Sequence, residues 1–495
     1  MSSTWSSSSI ERKEARKTSK TPAFLIRRSS AFKTSNLTEL LIRGGTVHGP
    51  DGPREADVHV TDGVITRVEA GGPIPENAAL IDARGMYVLP GAIDVHVHSR
   101  DPGFPDKEDF GTLTWAAAMG GVTTVIDMPN TVPAVDSAGV LEAKAALAHA
   151  KARVDFGLWG LIRSSSTPDQ LEALAAAGVI GFKAYLGYAF SLSRKQVLYS
   201  PEVGDPDLEA PPDYGTLARV APLIAELGLP LAIHAEDPTV LSAFRRPLET
   251  YSDLLESRPA EAEVVAISAA AAIAKDSGLH LHVAHLSSAL GLRAAEDAIK
   301  SGASVTLETC PQYLWLTEKD YELVGTSMKM FPPVRTAADR DALIEAAANG
   351  VIRIVATDHA PHTDEEKSRA LDDAASGSPG VQTLYVSCLE LARRLGDESL
   401  AARWVSEGPA ALAGLQETKG AIAPGFDADL VVVDPKGTTR VTPSLMKSRQ
   451  RHGALDGKEF GFAVRDVFLR GQAVVREGNR VGRPGGRMVR PSRFR

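Results

Sequence analysis

The sequence predicts an α/β fold, an eight-stranded (β/α)8 TIM barrel joined to a small β-sandwich built from both chain termini. Three observations carry this. The middle of the chain alternates short apolar strands with Ala/Leu-rich helices, reactive side chains recur at the ends of those strands, and short strands rich in Val and Ile recur at both ends of the chain. Such alternation signals βα units and a parallel sheet, and catalytic residues of barrels lie where the strands end. No Gly-rich dinucleotide fingerprint opens the first βα turn, which counts against a doubly wound open sheet.

Taken in order, residues 1–37 are rich in Ser and Lys/Arg and poor in acids, the composition of a disordered extension. It fits an organelle transit peptide, and at least as well a dispensable extension or an over-long translation start. Residues 38–90 carry predicted strands at 40–48, 56–60, 63–68 and 79–82, separated by Gly, Asp and Pro turns. Residues 411–485 answer with strands at 429–434 and 464–476, and Leu41-Ile-Arg-Gly-Gly is echoed by Phe468-Leu-Arg-Gly-Gln. Both stretches are therefore assigned to one β-sandwich, with 486–495 as a tail. Between them, residues 91–410 form the barrel, with strands at 91–98, 122–128, 155–162, 179–186, 229–235, 279–286, 304–308 and 353–357. Helices are expected at 138–153, 168–177, 214–227, 261–277 and 338–349.

Composition narrows the function. A net charge of −8 with both signs interspersed leaves no footprint for nucleic acid or an anionic membrane. No apolar run approaches the roughly 20 residues a spanning helix needs, and Cys310 and Cys388 cannot make a disulfide framework. The expectation is a cytoplasmic enzyme with a small-molecule substrate.

The strand ends supply the chemistry. In Gly91-Ala-Ile-Asp-Val-His-Val-His98, alternation puts His96 and His98 on one face and Val95 and Val97 on the other, which makes half of a metal site. Lys183, His234, His285 and Asp358 fall at the ends of the fourth, fifth, sixth and eighth strands. On the sixth strand, parity groups His285 with Leu279, Leu281 and Val283 and turns His280 and His282 away as structural residues. His359 follows Asp358 and must point elsewhere. Lys183 among apolar neighbours has its pKa depressed, and a neutral amine takes up carbon dioxide to form a carbamate. Singly, each histidine could be a satisfied core residue and the lysine could reach an acid; jointly they point to one mouth.

At these positions the chain resembles the cyclic amidohydrolases of the amidohydrolase superfamily, the group of dihydroorotase, allantoinase and dihydropyrimidinase (hydantoinase), from about Leu40 to about Gly485. The resemblance implies two Zn2+ or similar divalent ions: His96 and His98 on one, His234 and His285 on the other, carboxylated Lys183 bridging, and Asp358 completing the first while acting as acid and base. Homo-oligomers are usual in such families. His98-Ser-Arg-Asp-Pro-Gly103, Asp127-Met-Pro-Asn-Thr131 and Thr357-Asp-His-Ala-Pro-His-Thr363 are most similar to dihydroorotase, which implies a substrate-carboxylate clasp of Arg100, Asn130 and His362. Allantoinases usually carry Asn in place of that Arg and lack the last His. Three features lean the other way. Phe331 stands where dihydroorotases commonly have Asn, Thr309-Cys-Pro-Gln-Tyr-Leu314 resembles the hydantoinase and allantoinase motif, and Tyr188 matches the hydantoinase tyrosine that supports the oxyanion. The main expectation is a dihydroorotase-type enzyme; the alternatives are an allantoinase or hydantoinase acting on a neutral ureide, and an inactive scaffold paralogue. The long segment 189–212, with Arg194, Lys195 and Tyr199, is expected to be a substrate lid.

Overall fold

The computed structural model describes residues 39–494 apart from 73, 77 and 200–204; the expected extension at 1–37 lies outside them. Eight parallel strands form the barrel. Ala92–Val97, Val122–Asp127 and Asp155–Leu158 pair in sequence order. The third strand breaks at Trp159 and resumes as Gly160–Leu161, which pairs with Phe182–Tyr185. Leu231–His234, Leu281–Val283, Val305–Thr309 and Ile354–Val355 follow in order. The ring closes where Val97 bridges His359 and the His98 N–H donates to the His359 carbonyl at 2.8 Å.

Alternation divides the apolar residues between two clusters. Ile93, Val95, Ile126, Trp159, Ala232 and Ile354 pack together on the inner side, while Phe156, Phe182, Ile233, Val283 and Leu307 pack against helix residues such as Leu141, Leu174, Leu217 and Ala270. The helices start where the sequence supplies caps. Thr167 accepts from Gln170 N with the reciprocal bond of a capping box, Pro168 opens Pro168–Ala177, and Gly178 at φ 99° ends it.

Both termini build a nine-stranded sheet. Its order is Asn479–Arg480, Gln472–Arg476, Ala463–Leu469, Leu430–Asp434, Tyr87–Pro90, Glu39–Gly49, Gly52–Thr61, Val64–Glu69, with Ala79–Asp82 also pairing with Glu39–Gly49. The predicted single strand at 464–476 is a hairpin, turned at Arg470 and Gly471, both at positive φ. Gly91 carries the chain from Tyr87–Pro90 into the first barrel strand, and only glycine fits, because a Cβ there would lie 2.0 Å from Thr123 Oγ1. The expected tail at 486–495 is built into the barrel up to 494. Phe156 N–H donates to Arg487 O at 3.0 Å, Val489 N–H donates to Phe156 O at 2.8 Å, and Val489 joins the inner apolar cluster.

Candidate metal centre

The C-terminal strand ends converge on a cavity of about 680 Å³ lined by His96, His98, His234, His285 and Asp358 among others. Asp358 Oδ1 lies 3.3 Å from His96 Nε2 and 3.1 Å from His98 Nε2. Each imidazole spends its other nitrogen on a fixed acceptor: His96 Nδ1–H donates to Glu308 Oε1 at 2.8 Å, and His98 Nδ1 meets Asn130 Oδ1 at 2.8 Å. The Nε2 lone pairs therefore face the carboxylate, three acceptor atoms with no proton of their own to share. A cation fits between them.

The second pair repeats the device with opposite atoms. His234 Nε2–H donates to Glu236 Oε2 at 2.9 Å, which turns Nδ1 towards His285 Nε2, 3.1 Å away. Lys183 Nζ and His285 Nδ1 are fully buried and have no hydrogen-bond partner among the described residues. A buried amine without an acceptor is costly as an ammonium, and burial pulls Lys183 down to about 8. The chemistry of the donor set thus fits divalent metal ions. Burial also pulls His98 down to about 4 and His285 well below the usual imidazole range, so both offer neutral nitrogens. For Asp358 burial acts upward, but His96 and then His98, in their protonated forms, outweigh it and hold the carboxyl below its ordinary range.

Three of these residues are in the left-handed backbone region: Arg100 at φ 61°, His285 at 40° and Asp358 at 47°. Such conformations cost of order 1–3 kcal/mol each and persist where the surroundings fix them. His285 is the instructive case. The strand ends at Val283, Leu281 and Val283 point outward to the helices, and His282 points inward, where it stacks on Trp159 and meets Glu308 Oε2 at 3.2 Å. Parity thus assigned His285 to the outward face, and the left-handed turn brings it into the mouth instead. On the first strand, Val95 and Val97 likewise belong to different clusters, because the pairing register shifts between Asp94 and Val97. His359 does point away, towards Glu108, with Nε2 3.4 Å from its carboxylate.

Of the expected carboxylate clasp, Arg100 and His362 line the cavity, with Arg100 Nη2 3.1 Å from His362 Nε2 and Arg100 Nε donating to Pro361 O at 3.3 Å. Asn130 is spent elsewhere. Its amide oxygen holds His98, its Nδ2 donates to the Tyr199 hydroxyl, and it is not among the cavity-lining residues. Tyr188 sits at the wall, its hydroxyl 3.2 Å from His234 Nε2 and 3.5 Å from Arg258 Nη2. The described residues of 189–212 include three short antiparallel strands, Ala189–Ser191, Gln196–Leu198 and Leu208–Glu209, and Tyr199 lines the cavity.

Sequence reasoning missed Glu308, Glu236 and Arg258. Glu308, completely buried, takes hydrogen bonds from His96 and His282 and from the His285 N–H at 3.0 Å, so it holds one histidine of each pair. Glu236 holds His234 and is held by Arg258, Nε to Oε1 at 3.0 Å and Nη2 to Oε2 at 2.5 Å. The available signal was an acid at i+2 from a strand-end histidine and an acid inside an otherwise apolar strand. Asp94 anchors the closure of the ring, accepting from Thr357 N–H at 3.1 Å.

The amidohydrolase family profile matches residues 87–474, and the chain belongs to that family. An allantoinase from Streptomyces avermitilis is 39% identical over 456 residues, 91% of this chain and 98% of that one. One from Rubrobacter xylanophilus is 38% identical over 467 residues, covering 92% and 98%. Among solved structures, the L-hydantoinase (dihydropyrimidinase) from Arthrobacter aurescens matches with a TM-score of 0.84 at 29% identity, covering 91% and 99%. The chain is a cyclic amidohydrolase built on a barrel with a separate sheet domain. The expectation of a dihydroorotase-type enzyme is not supported. It rested on three short motifs, in one of which Asn130 turns out to hold a histidine, whereas the similarity to allantoinases runs along nearly the whole described chain. Among the described residues no helix is long and apolar enough to cross a membrane, and both cysteines are free and buried.

Proposed function

We propose that this protein is a metal-dependent hydrolase that opens the ring amide of a neutral cyclic ureide, with allantoin as the first candidate and hydantoins as the second. The observation that carries this reading is the convergence of His96, His98 and Asp358, each held as a lone-pair donor, beside the unpartnered Lys183 and the His234–His285 pair. The allantoinase names of relatives 38–39% identical over more than nine-tenths of the chain support the substrate class.

His96, His98 and Asp358 would hold one divalent ion, His234 and His285 a second, and Lys183, carboxylated by carbon dioxide, would bridge them; zinc suits these ligands. Ions bound there would acidify water and polarise the scissile carbonyl. Asp358, ionised and facing the cavity, accepts the proton of the attacking water and returns it to the departing ring nitrogen. Tyr188 keeps its phenolic proton, because burial pushes its pKa up, and donates it as a hydrogen bond to the carbonyl oxygen as charge develops. Arg100 and His362 close one side of the pocket and orient the ring. The cavity, about 680 Å³, is of the size that encloses a small ligand.

The test is a side-by-side turnover assay of protein loaded with zinc and bicarbonate on allantoin, hydantoin, dihydrouracil and dihydroorotate. The expected result is the highest kcat/KM for allantoin or hydantoin and the lowest for dihydroorotate. A preference for dihydroorotate would reverse the substrate assignment.

A further inference from the structure

Arg258 lines the cavity, yet nothing in the ring-opening chemistry uses it. Its guanidinium carbon lies over the Phe331 ring, 3.7 Å from the centroid, and Glu236 grips Nε and Nη2. A planar fork held on one edge and one face is pre-organised. Among the described residues no group accepts from Nη1, so two N–H donors are left for a ligand in the cavity.

Position and charge say what kind of ligand group. The Tyr188 hydroxyl is within reach of both His234 Nε2, at 3.2 Å, and Arg258 Nη2, at 3.5 Å. A substrate carbonyl reacting beside His234 therefore has Arg258 next to an adjoining part of the same molecule. Glu236 is fully buried and its charge is already set against that of Arg258. The pair offers directed donors with little net charge, which suits a neutral carbonyl acceptor better than a carboxylate. Of the other cations lining the cavity, Lys329 is occupied, since its Nζ donates to Leu371 O at 2.6 Å and Asp372 O at 2.9 Å.

We infer that Arg258, braced by Phe331 and Glu236, is a specificity-determining residue that donates from Nη1 to the carbonyl of a ureido substituent on the ring being opened. This rests on the neutral-ureide reading of the site. It gives Phe331 a purpose as the platform for the guanidinium, in place of a polar contact to the ring.

The test uses full-length zinc-loaded protein and three ring compounds: allantoin, which carries a ureido arm, a 5-alkylhydantoin of similar size, and hydantoin. Wild-type protein is expected to prefer allantoin over the alkyl compound by at least about tenfold in kcat/KM, the worth of one charge-assisted hydrogen bond. Arg258→Lys keeps a cation for Glu236 and loses Nη1. It is expected to lower kcat/KM on allantoin about 10- to 100-fold, chiefly through KM, with unchanged zinc content and a fall at least tenfold smaller on hydantoin. Equal falls on both rings, or lost zinc, would mean that Arg258 acts only through Glu236 and His234, and would overturn the inference. So would the absence of any wild-type preference for the ureido arm, a result independent of whether the variant folds. Wild-type protein that opens none of these rings would instead remove the proposed function, and this inference with it.

Discussion

Replacing Glu308 by Gln changes one atom in a site where three donors meet a single carboxylate. Oε1 accepts from His96 Nδ1 at 2.8 Å and from His285 N at 3.0 Å, and Oε2 faces His282 Nε2 at 3.2 Å. Glutamine retains one acceptor atom. With its oxygen at the Oε1 position, the His96 and His285 bonds survive as neutral ones, and the amide NH2 confronts His282. That histidine can move its proton to Nδ1, where Thr306 Oγ1 lies 3.0 Å away. The net loss is then the charge assistance of two bonds, about 1 kcal/mol each, or about 2 kcal/mol together. Since His96 and His285 belong one to each histidine pair, this should weaken metal binding about 30-fold, inside the range typical of groups that orient metal ligands. Competition against a chromophoric chelator measures it directly, with circular dichroism to show that the fold is kept. A folded Glu308→Gln protein whose metal affinity matches wild type within about threefold would refute the reasoning.

Other expectations follow from the same geometry. Lys183→Ala should abolish turnover, with partial recovery on adding short carboxylic acids that supply the missing bridge; unchanged turnover would exclude the bridging role. In the metal-free chain the folded pKa of Lys183, about 8, lies below the 10.5 of an exposed lysine, so the folded state is penalised at low pH and relieved as pH rises from 8 towards 10.5. Carboxylation needs the neutral amine, so at a fixed concentration of dissolved carbon dioxide reactivation by metal should quicken as pH rises to about 8 and level off above it; a rate independent of pH between 6.5 and 8 under those conditions would contradict this. Asn130→Ala should act on metal rather than substrate, weakening metal binding about tenfold with KM on allantoin held within about threefold. A large KM effect with intact metal affinity would restore Asn130 to the substrate clasp.

The barrel was legible because its strands and helices differ in period and its reactive residues cluster at strand ends. All eight predicted strands are present, the shortest being Ile354–Val355. The six proposed ligands were legible one by one, but not the reason they meet. His285 enters the mouth through a left-handed backbone that strand parity does not encode, and Asp358 and Arg100 share that feature. The supporting acids were less visible. Glu236 and Glu308 matter through partners distant in sequence, Arg258 and His96, which only the closed ring brings to them. The substrate was misread for a related reason: Arg100, Asn130 and His362 are adjacent in motif logic, but Asn130 faces a histidine instead of the cavity. The hairpin at Arg470–Gly471 and the packed C-terminal residues escaped prediction because turn conformation and long-range pairing decide both.

Ring opening of allantoin, followed by proton NMR, tests the central claim most directly when run on zinc-loaded wild type, chelator-treated wild type and Asp358→Asn. The expected result is conversion to the open carboxylate by zinc-loaded wild type, loss of conversion on chelation with recovery on restoring zinc and bicarbonate, and at least about a thousandfold loss for Asp358→Asn. Conversion that persists in fully metal-depleted protein, or in Asp358→Asn at the wild-type rate, would contradict it.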